Sequence, residues 1–135
     1  MSARVKHIGI AVRDLASAIE LYEQLLGSRA SSPRHSESEQ MEAATFRLGD
    51  VDVELMEPSS SESPVGRFLE RRGEGVHHIA YEVDDVSQAL QSARSLGLET
   101  LDEQPRPGLD GTRVGFVHPR SMHGVLTEFV EKRAG

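Results

Sequence analysis

The chain of 135 residues has about the length of one domain, contains no cysteine and carries a formal net charge of −7 at pH 7. The lack of cysteine excludes disulfides and thiolate metal sites, and an acidic chain without a basic stripe argues against a nucleic-acid partner. No apolar run reaches the roughly 18 residues of a membrane span, and the first residues lead directly into a strand pattern. We therefore expect a cytoplasmic protein that does not bind membranes.

The first predicted elements are a strand and a helix. Apolar residues alternate along Val5–Val12, with isoleucine and valine on one face and His7 among small residues on the other. Asp14 has the side chain of an N-cap. Apolar residues then follow at helical spacing as far as Leu26, and Gly27 suits the end of a helix.

The remainder of the first half predicts a loop, two strands and a short helix. Residues 28–42 are polar and favour a loop, which leads into a strand near Glu42–Leu48. The stretch Val51–Glu57 alternates again and predicts the next strand. Residues 59–64 have the composition of a linker, and Pro64 suits the start of a short amphipathic helix.

The second half begins with a strand at Val76–Val83 and a helix that Asp85 caps and Gly97 ends. Residues 103–111 are polar and predict a hairpin region. Two closing strands are predicted, at Thr112–His118 and Val125–Glu131.

An internal repeat relates the two halves. His78 and Asp85 occur 71 residues after His7 and Asp14, within otherwise similar strand and helix patterns. Each half is a strand, a helix and about three further strands. Because a half of about 60 residues buries too little surface to be stable alone, we expect the two halves to fold together.

The predicted fold class is therefore α+β, with two tandem βαβββ modules forming a curled mixed sheet around a metal-binding cleft. The whole chain, 1–135, is expected to be a single domain. Module 1 covers about 4–58, a linker with a short helix covers 59–75, and module 2 covers about 76–132.

Two histidines and two glutamates recur at equivalent places in the repeat. His7 and His78 lie in the repeated first strand, and Glu54 and Glu128 lie in the last strand of each half, 74 residues apart. Strand parity places the neighbouring His77 on the opposite face from His78. Two imidazoles and two carboxylates suit a divalent first-row metal ion that keeps open positions for another ligand.

Three blocks carry a resemblance to a known family. They read H-I-G-I-A-V-R-D, G-E-G-V-H-H-I-A-Y-E-V-D-D and F-V-H-P-R-S-M-H-G-V-L-T-E-F. The chain resembles the vicinal oxygen chelate superfamily of glyoxalases, bleomycin resistance proteins and extradiol dioxygenases. Within that superfamily it is most similar to the methylmalonyl-CoA epimerases, for which the second and third blocks are the more specific.

The resemblance implies a metal-dependent isomerase. It implies that a divalent ion is bound by His7, Glu54, His78 and Glu128. We expect this ion to be Co²⁺, with Mn²⁺, Ni²⁺ and Zn²⁺ as alternatives. The implied substrate is an acyl-CoA, methylmalonyl-CoA, whose C2 is epimerised through a metal-chelated enolate with glutamates as acid and base. A homodimer is also implied.

Two glutamates are expected to move protons. Glu128 is the first catalytic candidate, and the resemblance implies a second on the strand before that of Glu54. Glu42 lies within about a residue of this place, and it is the second candidate. If strand parity counts from Phe46, however, Ala44 occupies the place instead.

Three alternatives use the same fold. A glyoxalase I-type lyase would act on a glutathione hemithioacetal with a similar His/Glu set. A non-catalytic protein would bind a small molecule without metal, which the four ligand-type residues argue against. An extradiol dioxygenase would require a site of two histidines and one carboxylate, and the extra carboxylate argues against it.

Overall fold

A computed structural model describes residues 3–108 and 111–133 of the chain. These residues form two compact units: the first is His7–His77, and the second combines the residues before His7 with those from His78 onward. The helices are α1 (Leu15–Leu26), α2 (Pro64–Arg72) and α3 (Val86–Ser95). The strands are β1 (Arg4–Ala11), β2 (Arg34–Ser36), β3 (Met41–Leu48), β4 (Val51–Pro58), β5 (Gly75–Val83), β6 (Arg106–Pro107), β7 (Arg113–Val117) and β8 (Leu126–Glu131).

In the first unit the strand order is β2-β3-β4-β1. The β1–β4 pair is parallel, and the other two pairs are antiparallel. One face of this sheet packs Phe46 and Leu55 against Leu15 of α1. The other face packs Met56 against α2, where Leu69 lies in the same apolar cluster. Helices therefore cover both faces of this part of the sheet.

The predicted ends of the first two helices are confirmed. Asp14 caps α1 by accepting a hydrogen bond from the backbone N–H of Ser17, and Gly27 ends it in the left-handed conformation at φ 66°. Ser63 caps α2 in the same way, and Pro64 occupies its first turn. Sequence patterns locate these ends because capping depends on residues within a few positions of each other.

In the second unit the strand order is β5-β8-β7-β6. The β5–β8 pair is parallel, whereas β7 pairs antiparallel with both β8 and β6. Val83 packs against Leu90 of α3, while Ala80 packs with Val114 and Val130 in a separate cluster. Since Ala80 and Val83 differ by an odd number of positions, they belong to opposite faces of β5.

The predicted α+β class is confirmed. Each half contains the order βαβββ, as β1-α1-β2-β3-β4 and as β5-α3-β6-β7-β8, and the strand pairing is mixed. Part of the predicted hairpin region, residues 109–110, lies outside the described residues. Among the described residues, none of the helices combines the length and apolarity needed to cross a membrane.

One local prediction is wrong. The loop predicted over residues 28–42 contains β2, in which Arg34, His35 and Ser36 pair with β3. A polar stretch of three residues carries no strand signal of its own. It becomes a strand because β3 offers an unpaired edge for backbone hydrogen bonds.

Gly66→Ala should destabilise the first unit by about 1–3 kcal/mol, as overpacking does. A Cβ at this position would overlap the backbone oxygen of Ser60 and lie 2.9 Å from Cα of Ser61, so the α2 start must move. Urea unfolding measures the change. Gly115→Ala is the comparison, because its Cβ would meet side-chain atoms of Leu90, the nearest being Cδ1 at 2.8 Å, and a side chain can shift more readily than backbone. An equal or larger loss in Gly115→Ala would contradict this account.

Candidate functional site

The first unit brings His7 and Glu54 together. In the parallel β1–β4 pair, Glu54 lies opposite Gly9, two positions after His7, so the two side chains share a face. Each offers a ligand atom, an imidazole nitrogen or a carboxylate oxygen, and these atoms lie within 4.8 Å of each other. Both residues are half-buried.

The second unit brings His78 and Glu128 together in the same way. In the parallel β5–β8 pair, Glu128 lies opposite Ala80, two positions after His78. The Nε2 atom of His78 is 3.3 Å from Oε1 of Glu128. The two residues are only 6% and 7% exposed. The histidine-to-glutamate register is therefore identical in both units.

The neighbouring histidine has different surroundings. The ring of His77 makes an edge-to-face contact with Phe68 of α2, with the ring centroids 5.1 Å apart. Since consecutive strand residues point to opposite faces, His77 does not share the face of His78.

Phe116 lies beside His78, and two further residues of the second unit, Arg106 and Asp102, contact Phe116; the sequence singled out none of the three. The ring of Phe116 meets that of His78 edge-on at 6.3 Å, and Phe116 lies directly across from Glu128 on β7. The guanidinium of Arg106 stacks on the Phe116 ring, 5.0 Å from its centroid. Asp102 accepts one hydrogen bond from the backbone N–H of Phe116 and pairs with Arg106 at 3.1 Å. Strand alternation could have placed Phe116 on the Glu128 face, but nothing local indicated Asp102 or Arg106.

The register of β3 separates Glu42 from Glu54. Thr45 lies directly opposite Glu54, whereas Glu42 lies opposite Glu57. Glu42 is exposed. By alternation, Glu42 belongs to the face of Ala44, which is buried in the α1 cluster. Neither Glu42 nor Ala44 therefore faces Glu54.

The turn before β3 carries a different carboxylate. Glu39 is half-buried, whereas Glu37 and Glu42 are exposed. The backbone N–H of Glu39 donates to Oγ of Ser36, and Gln40 follows in the left-handed conformation at φ 51°. The hydrogen bond to Ser36 therefore holds the backbone of the turn at Glu39.

Comparisons with known proteins relate the chain to one superfamily. A sequence model described as the glyoxalase/bleomycin resistance protein/dioxygenase superfamily matches residues 6–116. The protein YqjC of Bacillus subtilis (strain 168) is 38% identical over 96% of this chain and 93% of its own. The ethylmalonyl-CoA/methylmalonyl-CoA epimerase of Cereibacter sphaeroides is 33% identical over 95% of this chain and 97% of its own.

Solved structures extend the similarity to the fold. A variant of the methylmalonyl-CoA epimerase of Streptomyces coelicolor, in complex with 2-nitronate-propionyl-CoA, superposes with a TM-score of 0.89 at 36% identity. The match covers 97% of this chain and 95% of the Streptomyces chain. At this identity and coverage, the similarity extends over nearly the whole of both chains.

A polar cluster follows β7. The Nδ1 atom of His118 accepts a hydrogen bond from the backbone N–H of Arg120 and so caps the short 3₁₀ helix Pro119–Met122. Arg120 also donates to Oε1 of Glu99 at 2.8 Å. That hydrogen bond is the main reason why the pKa of Glu99 lies below its ordinary value, and the charges of Arg120 and His118 lower it further.

Arg120→Ala should raise the pKa of the Glu99 carboxyl towards its ordinary value, because the variant removes the hydrogen bond and the nearest charge. A ¹³C NMR titration of the carboxyl measures the change. Because the folded pKa is depressed, the stabilisation is present above the unfolded pKa and is lost as the pH falls through the folded pKa. Arg106→Ala, in the same unit, is the control and should leave the pKa of Glu99 unchanged. An unchanged Glu99 pKa in Arg120→Ala would refute Arg120 as the cause of the lowered value.

Proposed function

Because the chain belongs to the glyoxalase/bleomycin resistance protein/dioxygenase superfamily and, within it, to the methylmalonyl-CoA epimerases, we propose that it interconverts the two configurations at C2 of methylmalonyl-CoA. The chain is thus an isomerase, and we propose methylmalonyl-CoA as its substrate. One observation carries it: each unit places one histidine and one glutamate side by side in the same strand register.

We propose that His7, Glu54, His78 and Glu128 hold one divalent metal ion. The donor set fits such an ion, because imidazole and carboxylate are ligands that first-row divalent metals accept. Two neutral imidazoles and two carboxylates also balance the charge of a divalent cation. When bound, the ion would supply Lewis-acid stabilisation of negative charge on substrate oxygens, worth several kcal/mol in metal enzymes generally.

The proton at C2 of a malonyl thioester lies between two carbonyl groups, and its removal gives an enolate. Inversion at this carbon requires a base on one face and an acid on the other. Glu128 is our candidate for one of these groups. It is buried beside His78, and its strand partner Phe116 packs on the His78 ring, so water has little access to it.

For the second proton carrier we propose Glu39 in place of Glu42. Glu42 is exposed and belongs to the sheet face away from Glu54. Glu39 is the half-buried acidic residue of the β2–β3 turn, and its backbone N–H donates to Oγ of Ser36, which holds the backbone of the turn. A carboxylate held in place by its surroundings is better suited to proton transfer than a freely solvated one, because the group must lie within hydrogen-bond reach of the proton that it moves.

The substrate class rests on the relatives. The Cereibacter protein is named for two malonyl-CoA substrates, and the Streptomyces structure contains an acyl-CoA analogue. We propose an acyl-CoA for this chain too. Arg106 stacks on Phe116 and its side chain is half-exposed, and we propose it as the cation that meets an anionic group of such a substrate. The choice of Co²⁺, the homodimer and the cytoplasmic location stay predictions.

His78→Ala should abolish both metal binding and catalysed deuterium uptake at C2, because it removes one of the four proposed donors. Proton NMR of methylmalonyl-CoA in deuterated buffer with added Co²⁺ follows the exchange, and metal analysis gives the stoichiometry. His77→Ala is the matched control, since its ring packs on Phe68 and not on the proposed site. A wild-type protein that exchanges no C2 proton, yet forms lactoylglutathione from the hemithioacetal, would overturn the epimerase in favour of the lyase.

Glu39→Gln should lower the C2 exchange rate by about 10²- to 10⁴-fold, the usual effect of removing a general acid or base. Glu42→Gln, three residues away, should leave the rate within about twofold of wild type, as expected for an exposed surface substitution. The same NMR assay measures both variants at saturating Co²⁺. Loss of exchange in Glu42→Gln with an unchanged Glu39→Gln rate would restore Glu42 as the proton carrier.

A further inference from the structure

Two more glutamates occupy equivalent positions in the repeat. Glu57 and Glu131 each lie three residues after Glu54 and Glu128 on the same strands. The carboxylate of Glu57 accepts a hydrogen bond of 2.7 Å from the backbone N–H of Leu15, at the start of α1. The carboxylate of Glu131 accepts one of 3.0 Å from the backbone N–H of Val86, at the start of α3. Each therefore binds the N-terminus of the helix that follows the histidine strand.

These bonds differ from ordinary helix caps. The first turn of a helix has unpaired N–H groups and a partial positive charge, so a carboxylate is stabilising there. Asp14 also caps α1, through the N–H of Ser17, but Asp14 belongs to the same chain segment as the helix. Glu57 belongs to β4. The Glu57–Leu15 bond therefore connects the end of β4 to the segment that follows β1, the strand that pairs with β4.

The Glu57–Leu15 bond helps to fix the register between β1 and β4, the strands that carry His7 and Glu54. The last backbone hydrogen bond of the β1–β4 pair runs from the N–H of Val12 to the oxygen of Met56, and the Glu57–Leu15 bond extends the connection beyond it. A slip of one residue in this pair would turn Glu54 to the opposite face from His7. A contact that holds the register therefore also holds the donors together.

We propose that Glu57 and Glu131 are positioning residues, which keep the glutamate and histidine donors of each unit in register. This proposal rests on the proposed metal site. The two positions are not equally simple to test. Arg113 donates to Glu131 through Nε at 3.2 Å and Nη2 at 3.0 Å, and it lies 3.5 Å from Asp85. A change at Glu131 would therefore release an arginine as well, so Glu57 is the better site for the experiment.

The experiment compares Glu57→Ala, Glu57→Gln and Asp14→Ala in the full chain. We expect Glu57→Ala to weaken Co²⁺ affinity by about tenfold, as measured by competition with a chelator, because partners that orient metal ligands commonly contribute 10- to 100-fold. Glu57→Gln should recover most of the affinity, since its amide oxygen still accepts the N–H of Leu15. Asp14→Ala removes a cap from the same helix without cutting the tie to β4, and it should leave the affinity within about twofold of wild type, the change expected for a surface site.

Two further measurements separate positioning from stability. Urea midpoints show how far each variant is destabilised, and amide hydrogen exchange reports opening of β1 and β4 without any metal. Faster exchange along β4 in Glu57→Ala than in Asp14→Ala supports the proposal. Equal affinity losses in the two variants at similar midpoints would overturn it and leave Glu57 as a helix cap only. A wild-type protein that binds no Co²⁺ would instead overturn the metal site itself, and the positioning role with it.

Discussion

The parallel pairing of β1 with β4, and of β5 with β8, is the constraint on which the candidate site depends. In both pairs the glutamate lies opposite the residue two positions after the histidine. Because side chains alternate along a strand, this register places each imidazole and carboxylate on one face. Parallel pairs are slightly weaker per residue than antiparallel ones. Contacts that reinforce these two pairs therefore act directly on the chemistry.

Burial distinguishes the two histidine–glutamate pairs. His78 and Glu128 are nearly inaccessible, whereas His7 and Glu54 are half-buried. A buried carboxylate is costly unless it is paired, and His78 is one partner of Glu128. In such a low-dielectric environment a divalent cation would interact strongly with Glu128. If the proposed ion binds, the buried pair would therefore hold it more strongly than the half-buried pair, which is the more accessible to solvent.

The duplication extends beyond the four donors. Both units also repeat the carboxylate that binds the following helix, through Glu57 in one and Glu131 in the other. The copies have diverged around this shared contact, since Arg113 pairs with Glu131 in the second unit. The second unit also has a Phe116 ring beside its histidine, with Arg106 stacked upon it. Divergence of this kind gives the histidine–glutamate pairs of the two similar modules different surroundings.

The sequence by itself determined the repeat, the α+β class, the caps of α1 and the parity that separates His78 from His77. These features depend on residues within a few positions of each other, or on a pattern that occurs twice. Only the tertiary structure decided which strand residues lie opposite one another. It revealed β2 in a predicted loop, placed Glu42 away from Glu54, and assembled Asp102 and Arg106 around Phe116, whose ring contacts His78. Strand register between distant segments follows from the packing of the whole sheet, and no local spacing in the chain encodes it.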